Sequence, residues 1–239
     1  MQLIKRKLFY NGKAKSLYET NDPQFLIVKF RDDITAFDGE KHEKLLRKGV
    51  INNKINAYFM RILKDFGILT HFKNMVSSNE SVVYRLTMIP LECVVRNMSA
   101  GSLCRRLGIS NKLQLNPPLY ELFLKNDVLH DPMITEDHAL CFLWATKLQL
   151  DYMKALSLKI NTVLSTLLSD VNLTLVDSKY EFGIRNNEIY LGDEISPDSC
   201  RIWDTHTEKS LDKDRFRNNL GQIVESYEEI AYRLKISLD

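Results

Sequence analysis

Asp177-Ser178-Lys179-Tyr180-Glu181-Phe182-Gly183 sets an acid, a base and an acid at alternate positions, directly after the apolar run Leu173-Thr174-Leu175-Val176. Shortly afterwards Leu191-Gly192-Asp193-Glu194 closes a second apolar run, Ile189-Tyr190-Leu191. Side chains alternate across a β-strand, so Asp177, Lys179 and Glu181 share one face. Charges placed beside core residues are costly when they stay dry and unpaired. Such a row is expected to have something charged lying on it, and two acids around a lysine suit a metal ion and a phosphate. The plainer reading is a Lys179–Glu181 ion pair on an exposed strand.

Arg185-Asn186-Asn187-Glu188 is the polar turn that would join the two rows in a hairpin. A two-residue Asn186-Asn187 turn puts Glu181 opposite Gly192 and sends Asp193 to the other side. An odd loop, or one bulge, puts Glu181 opposite Asp193. Carboxylates facing each other in that way are hard oxygen ligands of the kind Mg²⁺ takes, with phosphate oxygens and water completing the shell.

Three further stretches carry chemistry. In Tyr10-Asn11-Gly12-Lys13-Ala14-Lys15-Ser16 a glycine turn precedes two lysines that point the same way on an extended segment, as point charges suited to a polyphosphate. The stretch is neither a Walker A loop nor the kinase glycine-rich loop, and a solvated lysine pair is its plainer reading. In Pro90 to Ser102, Glu92, Val94 and Arg96 share a strand face ahead of Ser99-Ala100-Gly101-Ser102. Small residues there let backbone N–H groups approach an anion, and an arginine beside them can grip a phosphate in bidentate fashion. The alternative is a Glu92–Arg96 ion pair on an edge strand. Ser196-Pro197-Asp198-Ser199-Cys200-Arg201 adds a carboxylate and a guanidinium close to Asp193, or forms an ordinary turn capped by Asp198.

The elements that must position these groups read as α+β. Residues 15–18, 24–30, 81–86 and 91–95 are β-rich, with turns at Asn11-Gly12 and Asn21-Asp22-Pro23. Residues 53–66 carry a helical apolar stripe closed by Gly67. Thr146-Lys147-Leu148-Gln149 makes a capping box for a long helix, and a last helix is expected after Asp214 with Phe216, Leu220, Ile223, Tyr227, Ile230 and Leu234 on one face. Ile89-Pro90 reads as a hinge between two lobes, and residues 111–132, with three of the six prolines, as a long loop that is functional or mobile.

At 239 residues the chain can bury a substantial core as one large domain or two small ones. Lys+Arg 33 against Asp+Glu 31 leaves a net charge of +2, so no strong field toward nucleic acid or an anionic membrane is expected. Cys93, Cys104, Cys141 and Cys200 form no CxxC pair and the histidines do not gather near them. Reduced thiols in the cytoplasm are the expectation, with neither a zinc site nor a disulfide framework. The segment Met1 to Lys7 is too poor in apolar residues for a signal peptide, and no run approaches the roughly 20 apolar residues of a membrane span.

Together, Gly12-Lys13-Ala14-Lys15, Pro90-Leu91-Glu92 through Arg96 to Gly101-Ser102, Asp177-x-Lys179-Tyr180-Glu181-Phe182-Gly183 and Gly192-Asp193-Glu194-x-Ser196-Pro197-Asp198 resemble the SAICAR synthetase family. These are phosphoribosylaminoimidazole-succinocarboxamide synthases, ligases of purine biosynthesis. The resemblance runs from about residue 7 to the C-terminus and includes Arg47-Lys48-Gly49, Asn116-Pro117-Pro118 and Asp212 through Arg217. Cys200 departs from it, since serine is commoner there.

The resemblance implies a two-lobed α+β fold with mainly antiparallel sheets, flanking helices and an ATP cleft between the lobes, similar to protein-kinase and ATP-grasp nucleotide sites. Residues 1–88 would form the nucleotide lobe and 89–239 the substrate and metal lobe. It implies a cytoplasmic homodimer that uses ATP and Mg²⁺ to join carboxyaminoimidazole ribonucleotide to L-aspartate, with no nucleic-acid or membrane partner. Glu181 and Asp193 would be Mg²⁺ ligands, Lys13 and Lys15 ATP phosphate contacts, and the backbone around Leu86 and Met88 the adenine seat. Arg96, Ser102 and Arg201 would hold the 5′-phosphate. Glu92, Asp177, Lys179 and Asp198 would surround the aminoimidazole and its carboxylate, with Lys179 steadying charge during transfer, and a loop with Lys125 and His130 would close over ATP and aspartate. A small-molecule kinase sharing the Asp-x-Lys pair is the rival enzyme reading, and a non-catalytic RNA-binding or scaffold protein the rival outside enzymes.

Overall fold

Strand β1 (Lys5–Asn11) opens the computed structural model, which describes residues 3–239. Met1 and Gln2, part of the N-terminal segment considered above, lie outside them. There follow β2 (Lys15–Thr20), β3 (Phe25–Phe30), a two-stranded ribbon of β4 (Asp33–Ala36) and β5 (Lys41–Lys44), helix α1 (Lys48–Asp65), then β6 (Phe72–Ser77) and β7 (Glu80–Tyr84). The second half holds β8 (Thr87–Met98), α2 (Ser102–Leu107), β9 (Gln114–Leu124), β10 (Met133–Ile134), α3 (Glu136–Cys141), α4 (Lys147–Ser169), β11 (Leu173–Arg185), β12 (Glu188–Leu191), β13 (Cys200–Asp204), α5 (Asp214–Arg217) and α6 (Ile223–Arg233). The chain is α+β, as its sequence pattern predicts.

The strands pair antiparallel in two main sheets. One runs β1-β2-β3-β7-β6; the other runs β10-β9-β8-β11-β12, with β13 also on β11. Helices α1, α4 and α6 bury their apolar stripes in one core with β8 and β11: Ile55, Phe59, Met153, Ile160, Tyr227 and Ile230 are all fully buried there. Thr146 caps α4 through the reciprocal hydrogen bonds with Gln149 that its sequence predicts.

Strand β11 organises the second sheet. Its early residues pair with β13 and its last four with β12, both on the same edge, while β8 covers the other edge. Leu173 and Leu175 face the core, yet Tyr180 and Phe182 do too. The parity changes at a bulge between Leu175 and Asp177. That one irregularity sends Asp177, Lys179 and Glu181 to the cleft side.

Four expectations need correction. Ile89 and Pro90 lie inside β8, a continuous strand of 12 residues, and form no hinge. Half of the predicted loop is β9, paired with β8 from Leu91↔Leu124 to Arg96↔Leu119; Pro117 and Pro118 fall where the register then shifts, a place that tolerates missing N–H donors. The last helix is two, because Asn219, Gly221 and Gln222 take positive φ values of 55°, 66° and 49° between α5 and α6. The β11–β12 hairpin has the tight Asn186-Asn187 turn, both residues left-handed, so Glu181 lies beside Gly192. Asp193 nevertheless reaches the cleft, through its own left-handed φ of 50° rather than a bulge in β12.

Candidate active site

A cavity of about 840 Å³ lies between the two sheets. From the β1–β2 turn comes Lys13, and from β2 Lys15. From β8 come Met88, Glu92, Val94 and Arg96, and from β11 Asp177, Lys179 and Glu181, the predicted faces of both strands. Lys125 follows β9, while Asp193, Asp198 and Arg201 come from the segment that leaves β12 and returns as β13. That segment runs past the stretch of β11 between its two partners: Lys179 donates its backbone N–H to Ser199 at 3.1 Å, and Gly192 donates to Glu181 at 2.8 Å.

At the centre, ammonium and carboxylate groups alternate. Lys179 Nζ lies 2.5 Å from Glu92 Oε1 and 3.0 Å from Glu181 Oε1. Lys125 Nζ lies 2.8 Å from Glu181 Oε1 and 3.2 Å from Glu92 Oε1. Glu92 and Glu181 stand directly opposite in the β8–β11 register, and the two lysines offset a like-charge pair that would otherwise destabilise the sheet. One plainer reading holds in part, since Lys179 does pair with Glu181; the other does not, since Glu92 and Arg96 have separate partners and β8 is an inner strand between β9 and β11. Burial pulls the Lys179 pKa down, but Glu181 and Glu92 outweigh it and hold the ammonium well above its usual range. Burial, with Asp193 and Glu92 nearby, pushes Glu181 up.

Beside this centre, Lys15 Nζ bonds Asp193 Oδ1 and lies 2.8 Å from Glu194 Oε1. Burial would raise the Asp193 pKa; Lys15 and Lys179 override it and hold the carboxyl well below the usual range. The Asp193 backbone is clamped by His71, which donates its N–H to Leu191 O at 2.8 Å and hydrogen-bonds the Asp193 backbone through its ring. Burial takes the His71 imidazole down to about 4, so it is neutral.

At the far end, Asp177 Oδ2 accepts from Arg96 Nη1 at 2.8 Å and from Arg201 Nη1 at 2.7 Å. Glu121 holds Arg96 Nε at 2.7 Å, and Asp214 holds Arg201 Nε at 2.7 Å. Gly101, with φ of 59°, sits under the Arg201 guanidinium so closely that any β-carbon would collide with it. Two guanidiniums fixed by carboxylates beside small residues make a rigid anion seat.

Leu86 and Ser102 do not line the cavity. Leu86 packs with Met88 against Gly183, where a β-carbon would meet Leu86 Cβ at 2.7 Å. Ser102 stands behind Arg96, accepting from Nη2 at 3.3 Å. Asp198 lines the cavity with both oxygens engaged: Oδ2 accepts from Lys48 at 2.6 Å and Asn52 at 2.9 Å, and Oδ1 from Tyr227 at 2.7 Å. Past β9, Asn126 caps a short 3₁₀ turn at Asp127–Leu129, and Lys13 reaches Asp127 at 3.1 Å, joining the two sheets at the cavity mouth.

The match to known proteins is full-length. The sequence model of SAICAR synthetase covers residues 8–234. The phosphoribosylaminoimidazole-succinocarboxamide synthase of Coxiella burnetii is 72% identical over 238 residues, covering 100% of this chain and 99% of that one. The chain belongs to the SAICAR synthetase family. A crystal structure of the Ehrlichia chaffeensis synthase superposes with a TM-score of 0.95 at 44% identity, over 97% of this chain and 99% of that one. A SAICAR synthetase in complex with ADP superposes with a TM-score of 0.92 at 43% identity, over 95% and 97%.

Several cavity residues carry no role in the SAICAR synthetase reading of the sequence: Glu194, Lys213 and Arg217 line it, as does His71. Lys213 and Arg217 stand in a stretch that contributes to the family resemblance, so a signal was present. His71 left none, because its clamp on Asp193 exists only after folding. Among the described residues no three Asp, Glu, His or Cys side chains converge as a metal set. Glu181 and Asp193 instead suit Mg²⁺, which is usually bound by one or two carboxylates together with phosphate oxygens and water. No described helix is long and apolar enough to cross a membrane.

Proposed function

We propose that this chain is an ATP-dependent ligase that forms the amide between the carboxylate of carboxyaminoimidazole ribonucleotide and the amine of L-aspartate, giving SAICAR, ADP and phosphate in de novo purine biosynthesis. The observation that carries the reading is the Lys179–Glu92–Glu181 centre, set between an anion seat at Asp177 and a lysine pair where the β1–β2 turn enters β2, in a chain of this family.

A carboxylate is a poor electrophile. Transfer of the γ-phosphoryl to its oxygen expels ADP and leaves an acyl phosphate; the aspartate amine then attacks the acyl carbon, phosphate departs with the C–O electrons, and the nitrogen loses a proton to solvent. Alignment and charge neutralisation supply most of such a rate. In this reading Lys13 and Lys15 take the ATP phosphates and Met88, with the backbone at Leu86, the adenine. Arg96 and Arg201, backed by Ser102, take the 5′-phosphate. Lys179 steadies the charge on the carboxylate as it is phosphorylated, Lys125 assists, and Glu92 and Asp177 orient the aminoimidazole. Asp198, with its oxygens committed, acts as the anchor of this wall. Mg²⁺, held by Glu181 and Asp193 with phosphate oxygens, would neutralise charge on the transferring group.

The lobe division belongs to the same proposal: strands of the first sheet all come from residues 5–84, those of the second from 87–204. So do the cytoplasmic site, which the four free cysteines support, and the homodimer. The test is incubation with ATP, Mg²⁺, carboxyaminoimidazole ribonucleotide and aspartate, following phosphate and amide together. Equal release of both is expected and requires aspartate. ADP formation without aspartate, with a phosphorylated small molecule, would replace this reading with the kinase.

A further inference from the structure

Eight lysines and arginines line the cavity. Seven are tied into ion pairs with carboxylates. The ammonium of Lys213, partly buried at the start of α5, has no hydrogen bond and no ion pair among the described residues. Asp198, the carboxylate that acts on it most strongly, is already engaged at both oxygens by Lys48, Asn52 and Tyr227. A cation kept in a partly dry cavity without a partner is costly unless an anion arrives to meet it.

The ligase reading, on which this inference rests, brings more negative groups than the seats described above hold. The ATP phosphates meet Lys13 and Lys15, the 5′-phosphate meets Arg96 and Arg201, and the reacting carboxylate meets Lys179. The two carboxylates of the amino acid are left, and the cations left for them are Lys213 and Arg217. Position agrees. Lys213 lines the cavity, its backbone N–H on Pro197 O at 3.1 Å, and its ammonium interacts both with Glu194, the partner of Lys15, and with Arg217, which Asp214 links to Arg201. It is thus coupled to groups of both the nucleotide end and the 5′-phosphate end, where an amine must arrive.

We propose that Lys213, together with Arg217, receives a carboxylate of the incoming L-aspartate and so selects an acidic amino acid. The groups that face Lys213 also give it a pH signature. Burial, Arg217 on α5 and Lys48 on α1 lower its pKa to about 8, against the pull of Asp198 and Glu194 from the β12–β13 segment. A bound carboxylate favours the charged form, so aspartate affinity falls as pH rises above about 8.

The experiment is steady-state ligation by the full chain and its Lys213→Met and Lys213→Arg variants, varying each substrate in turn. Loss of a charge-assisted contact predicts a KM for aspartate raised about 10- to 100-fold in Lys213→Met, with the KM values for ATP and the imidazole nucleotide nearly unchanged. Lys213→Arg recovers most of the loss and, staying charged, removes the alkaline rise in aspartate KM. A Lys213→Met enzyme with unaltered aspartate KM, or one whose KM rises for the imidazole nucleotide instead, overturns the assignment. Thermal melting of each variant separates misfolding from lost binding; if Lys213→Met does not fold, Lys213→Arg carries the test through its pH profile, and an unchanged alkaline rise there overturns the assignment. If the unaltered chain makes no amide at all, it is the ligase reading that fails.

Discussion

Lys48 and Asp198 form an ion pair of 2.6 Å across 150 residues of sequence, with side chains only 1% and 6% exposed. The pair ties the start of α1 to the turn that leads into β13, and so fixes the wall that carries Arg201. Lys48→Met leaves the Asp198 carboxylate buried with only Asn52 and Tyr227. The expected cost is about 3–5 kcal/mol of folding stability, measured by urea denaturation. A change below about 1 kcal/mol would show that the pair is not what holds this wall.

Lys179→Ala removes the ammonium shared by Glu92 and Glu181. Turnover should fall roughly 10²- to 10³-fold, with a far-UV spectrum like that of the parent. Near-normal kcat in a folded variant would remove Lys179 from the transfer step.

Gly101→Ala sets a β-carbon against the Arg201 guanidinium and imposes strain at a positive φ. Stability should drop by about 1–3 kcal/mol, and KM for the imidazole nucleotide should rise while KM for ATP holds. Equal rises for both substrates would mean that the effect is not confined to the anion seat.

Asp212 gives a pH test. It is fully buried and accepts backbone N–H groups from Ile202 and Asp214 at 2.8 Å each, and burial with Asp214 nearby pushes its pKa up to about 7. Between the ordinary carboxyl value and 7, the folded state keeps a proton that the unfolded state has lost. Its contribution to stability is therefore present below about pH 4 and is lost as the pH rises to about 7. The difference in unfolding free energy between the parent and Asp212→Asn, followed over that window, should decline with rising pH. A flat difference would refute the shift.

What could be read from the sequence was local. The cleft face of β11 follows from period-two spacing within a few residues, and the capping box at Thr146 is complete in four. The cleft position of Asp193 was not legible in that way. It depends on a left-handed backbone at a non-glycine residue, held by His71 just ahead of β6 of the other sheet. Strand β9 was hidden by Pro117 and Pro118, which suppress a β reading wherever they occur although the register shift at Met98 accommodates them. Lys48 and Asp198 meet only after the core has assembled, so neither announced the other. Leu86 and Ser102 lie near the cavity in sequence but behind its wall in space.

The regular part of β11 between Asp177 and Glu181 has a mechanical consequence. The four steps from Asp177 to Glu181 span roughly 13 Å, and a paired strand barely stretches. The strand thus works as a ruler, setting the interval between the arginine-lined end and the acidic centre. Compounds with the right head groups but a shorter or longer spacer would engage one mark and miss the other.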